Sequence, residues 1–488
     1  MRTVFLPALL MMFFSFSLLS AQGQEAEKLQ LKPYFSEIDT VCVNTEYPRT
    51  SFMTFPDMKS AKHKRFEDSP YYMSLNGEWD FIYTDDYRDL PADVVAKTSG
   101  DLKWDKIKVP GNWERQGFGT ALYTNHQYEF ATYKPQPPEL PDAIPAGVYR
   151  RTFEVPGNWE GRDVFLHISG AKSGVYVFIN GKEVGYSEDS KNPAEYTIND
   201  YLIDGENTLV LVILRWSTGS FLECQDFWRI SGIERDVYLF SQRKAAIRDF
   251  RIKSTLSDDY KTGLFAFEAE VRNHSGENMP VSVSYILTDK YTGKEITWEG
   301  KKMVVPDGKS KSFGFTKKIK NIRTWSSEYP YLYRLYIKVS EGDGKEEVIP
   351  FDIGFRRIEI KGNVLLVNGQ PVKFKGVNVH EHDQVTGHYV SEETMRHDFE
   401  LMKRNNINAV RLAHYPQDRK FYELADEYGL YVYDEANIES HGMYYSLSKG
   451  GTLGNNPEWL RPHLYRTINM FERNKNYPCV TFWSLGNE

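Results

Sequence analysis

The feature that most constrains the fold is a change of period near residue 356. Before it, the chain is written in short apolar runs broken by Gly, Pro and Asn, with no amphipathic helical stretch. After it, strand-length apolar runs at 372–378, 408–412, 430–434 and 480–485 alternate with helical patterns. Ser391 reads as the N-cap of a helix running to Arg404, with Glu392 and Glu393 in its first turn. Residues 418–428 read as a second helix stopped by Gly429, and Pro457 opens a third whose Leu460, Leu464, Ile468 and Phe471 make one apolar stripe. Strands joined by crossover helices lie parallel in one sheet. Residues 356–488 therefore predict the first half of an (α/β)8 TIM barrel, because a whole barrel takes about 250 residues.

Upstream the pattern predicts two all-β units. In residues 22–242, strands at 148–155, 164–169, 175–179 and 208–214 are evenly spaced, and Asn180-Gly181 between two apolar runs is a strong hairpin signal. These features predict a jelly-roll β-sandwich. Residues 243–355, with alternating runs at 265–271, 281–287 and 332–339, have the length and strand count of an immunoglobulin-like β-sandwich. Hydrophobic residues make up 41% of the chain and charged residues 26%, enough for each unit to bury a core. Sixty Lys and Arg against sixty-seven Asp and Glu give a net charge of −7, which excludes an electrostatic footprint for nucleic acid. Aromatic residues reach 15%, which suits both β-sandwich packing and stacking on apolar sugar faces. Cys42, Cys224 and Cys479 supply neither a disulfide framework nor a metal spacing.

Residues 1–21 carry one charge, Arg2, then an apolar run and the small-residue stop Leu19-Ser20-Ala21. This is a signal-peptide pattern and predicts an exported, periplasmic or extracellular protein. No later segment is apolar enough for a membrane span.

Each of the four barrel strands is followed by titratable residues. They are Asn378 to Asp383 after the first, Arg411 and His414 at the second, Asp434 to His441 after the third, and Asn487-Glu488 after the fourth. Barrel enzymes place their chemistry at this C-terminal face. A lone His or Glu at a strand end is more often structural, but four loaded strand ends in succession are not ordinary loops. Glu439-Ser440-His441 sets a carboxylate and an imidazole two residues apart, and with Glu488 they form an O,N,O set suited to Mg²⁺ or Mn²⁺. The bland alternative is a surface Glu–His pair. His380-Glu381-His382 also has zinc-like alternation, a weak signal on a loop.

Several of these motifs resemble glycoside hydrolase family 2. Phe482-Trp483-Ser484-Leu485-Gly486-Asn487-Glu488 is similar to the family's acid/base signature. Asp434 through Gly442, Arg411 through Pro416 and Gly376 through His382 resemble its β-galactosidase branch. Val109 through Trp113, Tyr123-Thr124-Asn125 and Gln225 through Ile233 resemble its sugar-binding domain. The resemblance implies a retaining β-galactosidase, a glycoside hydrolase that releases terminal non-reducing β-D-galactose from β-galactoside glycans or oligosaccharides. It makes Glu488 the general acid/base, Asn487 a contact to the sugar 2-hydroxyl, and His380 and His414 the histidines that stabilise the transition state. Glu439, His441 and Glu488 become the Mg²⁺ ligands. Asn125 and Asp226 reach from the jelly roll into the galactose pocket, with Asp226 also on Na⁺. The nucleophile is then a Glu beyond residue 488, so these residues are expected to be an N-terminal part, inactive by itself. Cys224 stands where the family usually has Asp, Val379 replaces an Arg, and Asp383 stands where some members have His.

The rival readings are a β-glucuronidase or β-mannosidase of the same family, a non-catalytic carbohydrate-binding fragment, and a barrel metallohydrolase using His380 and His382. Homo-oligomerisation is compatible with the sequence and not specified by it.

Overall fold

The structure, a computed structural model, describes residues 27–98, 102–131, 134–342, 344–446 and 448–488. The expected signal peptide lies outside the described residues.

The first unit is a sandwich of two antiparallel sheets. One has seven strands in the order Cys42–Val43, Lys182–Ser187, Gly174–Ile179, Glu206–Leu214, Ala146–Glu154, Gly77–Thr84 and Asp105–Val109. The other has four: Ala194–Thr197, Asp163–Ile168, Val237–Gln242 and Tyr72–Ser74. Trp79, Phe81, Tyr149, Val177 and Leu211 of the first sheet pack with Leu166 and Leu239 of the second in one core. The Asn180-Gly181 hairpin forms as expected, with φ of 52° and 79° at its two turn residues and Ile179 paired with Lys182. A two-stranded ribbon, Leu122–Thr124 with Phe227–Arg229, projects from this sandwich and carries part of the site.

The second unit is a three-plus-four sandwich. Its sheets are Ala245–Leu256, Gly263–Asn273 and Lys309–Ile319, and Glu295–Val305, Met279–Asp289, Tyr333–Ser340 and Glu346–Ile353. Period-2 alternation is clean here: in Gly263–Asn273 every second residue is buried.

A short meander, Ile358–Lys361, Val364–Val367 and Gln370–Pro371, leads into four parallel strands. These are Gly376–Val379, Ala409–Leu412, Tyr431–Glu435 and Val480–Ser484, in that order and in register from Gly376 opposite Ala409. The connecting helices are α1 (Glu392–Arg404), α2 (Arg419–Tyr428) and α3 (Leu460–Asn474). Local chemistry sets their ends. Ser391 Oγ accepts from Thr394 N at 3.1 Å, Asp418 Oδ1 accepts from Lys420 N at 2.8 Å, and Gly429 takes φ 72°.

The third helix corrects the sequence reading. Pro457 begins a 3-10 turn, Pro457–Trp459, ahead of α3. Its stripe faces outward: Leu460, Leu464 and Ile468 are 60%, 49% and 37% exposed. The buried face is instead largely polar, with Arg466, Asn469, Arg473 and Asn474 beside Pro462 and Met470. Periodicity marks an apolar stripe but does not say which face its neighbours cover, and here the jelly roll and the barrel strands together cover the polar one.

The barrel strands share a continuous core with the second sandwich. Trp325 meets Tyr431 edge-on at 5.7 Å, Phe351 meets Tyr477 at 5.6 Å, and Val410, Val432 and Val480 join the cluster of Phe250, Phe267 and Phe355. Among the described residues no helix is long and apolar enough to cross a membrane. The three cysteines are free, with Cys224 and Cys479 buried.

Candidate active site

The C-terminal ends of the four parallel strands converge, and their polar side chains form one connected path. Glu435 ends the third strand and is fully buried. It accepts a two-pronged pair of hydrogen bonds from Arg411 of the second strand at 2.7 and 2.8 Å, and lies 2.7 Å from His414 Nδ1. Burial opposes its ionisation, but the His414 and Arg411 hydrogen bonds outweigh it and hold the carboxyl below its usual range. Arg411 also donates to Asn487 Oδ1 at 3.1 Å. Asn487 in turn donates to Glu439 Oε2 at 3.1 Å and to Glu488 Oε2 at 3.0 Å.

This geometry depends on a glycine. Gly486 takes φ 128°, and a Cβ there would stand 2.5 Å from the Ile438 carbonyl oxygen. The close approach lets Asn487 N donate to Ile438 O at 2.9 Å and Ser440 N to Glu488 O at 2.8 Å.

His380 meets His414 edge-on at 5.6 Å and stacks on Phe227 at 5.2 Å. Burial, with the charges of His414 and Lys191 adding, lowers its pKa to about 4, so it is a neutral donor or acceptor near pH 7. Glu381 is committed elsewhere: Arg235 grips its carboxylate at 3.0 and 2.7 Å. His382 faces His388 at 5.6 Å, and no third ligand joins His380 and His382 in a cluster among the described residues. The His-Glu-His segment is thus built as an anchor, and the zinc reading finds no support.

Glu439, His441 and Glu488 do come together, with one ligand atom of each lying within 4.8 Å of the others. Glu439 is fully buried, and its Oε1 has no hydrogen-bond partner; nor does His441 Nδ1, 3.3 Å from Glu488 Oε2. Burial pushes the Glu439 pKa up to about 8, with the Glu488 and Asp226 charges adding and the Asn487 hydrogen bond opposing. A buried carboxyl oxygen and an imidazole nitrogen that both lack a partner are what a cation would satisfy, so the residues fit a divalent metal. Glu488 itself is 43% exposed at its side chain and takes a hydrogen bond from Tyr445 Oη at 2.8 Å.

The jelly roll supplies the remaining wall. Asp226 is exposed and accepts from Tyr123 Oη at 2.8 Å, close enough for its charge to act on both Glu439 and His380. Asn125 Oδ1 lies 2.8 Å from His126 Nδ1, and the His126 ring stands 5.8 Å from His441. Asp226 belongs to no cluster of three metal-ligating side chains among the described residues. Burial raises the Cys224 thiol to about 11, so it is neutral beside Arg229, whose Nη2 donates to Sγ at 3.6 Å.

Sequence reasoning missed the groups that hold this wall in place. Cys224 N donates to Glu439 O at 3.0 Å, and Glu439 N donates to Leu222 O at 2.7 Å. Beneath them Arg466 of α3 donates to Glu223 Oε1 at 2.6 Å, and Asn437 donates to Glu223 and Asp189 at 2.9 and 3.0 Å. The Asn437 side chain lies in the recognised motif, but Glu223 and Arg466 are 243 residues apart and share no local signal.

Similarity to known proteins agrees with this architecture. Residues 72–243 match the profile described as "Glycosyl hydrolases family 2, sugar binding domain", 245–356 the family's central domain, and 358–488 its TIM barrel domain. A beta-galactosidase of Priestia megaterium is 38% identical over 453 residues, 91% of this chain and 44% of that protein. One of Vibrio cholerae is 39% identical over 447 residues, 90% and 43% of the two chains. The chain thus spans less than half the length of these curated relatives. The crystal structure of Bacteroides uniformis beta-glucuronidase superposes with a TM-score of 0.71 at 21% identity, covering 84% of this chain and 46% of that one, a likeness of fold. With three domains matched in succession, and with the strand-end residues of the site lying inside the last of them, the chain belongs to glycosyl hydrolases family 2.

Proposed function

We propose that this chain carries the sugar-binding wall and the acid/base of a retaining β-galactosidase. The observation that supports it most is the unbroken path from His414 through Glu435, Arg411 and Asn487 to Glu488, which ends on a solvent-reachable carboxyl. Glu488 donates a proton to the departing glycosidic oxygen, and after glycosyl transfer to a carboxylate nucleophile it takes a proton from the attacking water. The nucleophile is assigned outside these residues. Glu435 is sealed by Arg411 and His414, and Glu439 is buried with its second oxygen held by Asn487. Neither can reach a sugar carbon. His380 and His414 hydrogen-bond the ring hydroxyls as charge develops, and Asn487, Asn125 and Asp226 contact the galactose.

Glu439, His441 and Glu488 would hold Mg²⁺, which would fix the charge and orientation of the acid/base. Asp226 is the proposed Na⁺ contact. Export to the periplasm or exterior, as the leader pattern predicts, suits an enzyme acting on glycans. The relatives described as beta-galactosidases, at 36–39% identity, favour galactose over glucuronate; the glucuronidase structures, at 19–24%, speak only to fold. By itself the 488-residue chain is expected to hydrolyse nothing. The deciding experiment assays the longer protein that contains this chain on aryl β-galactoside, β-glucuronide and β-mannoside. Galactoside preference of at least tenfold is expected, and glucuronide preference overturns the assignment.

A further inference from the structure

The ribbon beside the site carries aromatic surface that the proposed chemistry does not use. Leu122, Tyr123 and Trp228 are 38%, 59% and 43% exposed, all three on Leu122–Thr124 or its partner Phe227–Arg229. Tyr123 and Trp228 are direct cross-strand partners and pack edge-to-face at 5.8 Å and 70°. Burial alternates along the second strand: Gln225, Phe227 and Arg229 are buried, whereas Asp226 and Trp228 are exposed. Asp226 and Trp228 therefore share the outer face, and Tyr123 joins them through its hydroxyl, 2.8 Å from Asp226 Oδ1. The inner face is tied to the site: Gln225 donates to Asn437 at 3.0 Å and Phe227 stacks on His380. The ribbon thus holds two aromatic rings next to a carboxylate whose charge acts on both Glu439 and His380.

We infer that Tyr123 and Trp228 form a stacking platform for an uncharged sugar ring, an outer subsite that adjoins the pocket and takes the next residue of an oligosaccharide. This rests on the reading of Asp226 as a sugar contact. An aromatic face held at a fixed angle covers the apolar face of a hexose without ordering flexible groups, and the neighbouring carboxylate accepts from its hydroxyls. The Asp226 charge disfavours a uronic acid or a phosphate at the same place. The substrate class that fits is a neutral β-linked oligosaccharide rather than a simple glycoside.

The test is a fluorescence and saturation-transfer NMR titration of the 488-residue chain with methyl β-galactoside, a β-galactosyl disaccharide and a trisaccharide. A matching series ending in glucuronate or mannose is run beside it. We expect affinity to rise about fivefold or more from the monosaccharide to the trisaccharide, a gain of about 1 kcal/mol. Trp228→Ala should bring that ratio close to one. Tyr123→Phe keeps the ring and should keep the ratio, and circular dichroism checks that both variants fold. Galactoside binding with no gain on chain length overturns the platform while sparing the galactose reading. A gain with glucuronate or mannose termini alone keeps the platform and overturns the galactose reading. If no sugar of any length binds, or if Trp228→Ala changes only the sedimentation of the chain, the platform is wrong.

Discussion

Glu488 and Glu439 carry ligand atoms within 4.8 Å of each other, yet their surroundings suit them to different work. Glu488 is half-exposed and accepts hydrogen bonds from Tyr445 and Asn487. Glu439 is buried, half-satisfied and immobile, as a ligand needs to be. On the proposed reading the first expectation follows: in a protein that joins this chain to a complete barrel, Glu488→Gln lowers kcat/KM on unactivated β-galactosides by about 10²–10⁴-fold and on nitrophenyl galactosides far less. A leaving group that departs without a proton does not need the acid. Equal losses on both substrates would remove Glu488 from that role. The second expectation concerns Mg²⁺ binding to the 488-residue chain, measured by calorimetry: Glu439→Ala and His441→Ala each weaken it by about 100-fold or more. Unchanged affinity in both variants would dismiss the site. At this scale the sequence was readable wherever a motif holds the group, as at Asn487-Glu488. It was mute about how deeply each carboxyl is buried and what holds it, because the surroundings of Glu435 and Glu439 depend on partners from other strands.

The helices show where local signals suffice. Ser391, Asp418 and Gly429 end their helices by contacts within three or four residues, so sequence alone locates them. α3 shows where they fail, since its buried face is defined by Glu223 and Asp434, far away in the chain. In the 488-residue chain, Leu464→Asp should therefore shift stability by no more than about 0.5 kcal/mol. Arg466→Ala, which leaves Glu223 and Asp189 buried without their cation, should cost about 3–5 kcal/mol. Urea unfolding of the two variants ranks them, and the reverse order would restore the stripe as the packed face.

α2 carries a titration of its own. Burial pushes the Asp426 carboxyl up to about 8, against hydrogen bonding from Cys479, whose backbone N donates to Oδ1 at 2.8 Å, and the Lys64 charge, while Asp352 adds to the rise. An unfolded Asp ionises near 3.9, so the folded chain holds a proton the unfolded one releases, and stability falls as pH rises from about 4 to about 8. Asp426→Asn keeps the acceptor and removes the titration. Its urea midpoint should gain on the unsubstituted chain progressively between pH 5 and pH 8, and a constant difference across that range would contradict the buried-acid account.

In the whole molecule, the order of the units was legible from the strand spacing of the two all-β stretches and the one change of period near residue 356, whereas the way they are joined was not. The barrel strands are held on one side by the core shared with the second sandwich. On the other, two buried polar clusters join them to the jelly roll. One is built on Arg466. The other is built on Arg235, which grips Glu381 and donates to the Pro416 and Lys191 carbonyls at 2.7 Å each. Around it Lys191 pairs with Glu234 at 2.5 Å, and Glu234 lies 2.7 Å from His388 Nδ1. These contacts span 43 to 181 positions of sequence, and none repeats with a period. Such a cluster specifies one docking geometry, but its worth to stability lies in being complete: taking away one charge strands the other. Arg235→Met should thus cost about 3–5 kcal/mol and loosen the barrel strands first. Limited trypsin digestion should then remove the region after Phe355 faster than in the unsubstituted chain, leaving the two sandwiches as the surviving product. Arg235→Met with Glu381→Met removes both charges and should recover much of the resistance, because the penalty of the single change is the unpaired carboxylate. A single variant that digests at the original rate, or a double variant no better than the single, would show that the barrel strands are held by the shared apolar core alone.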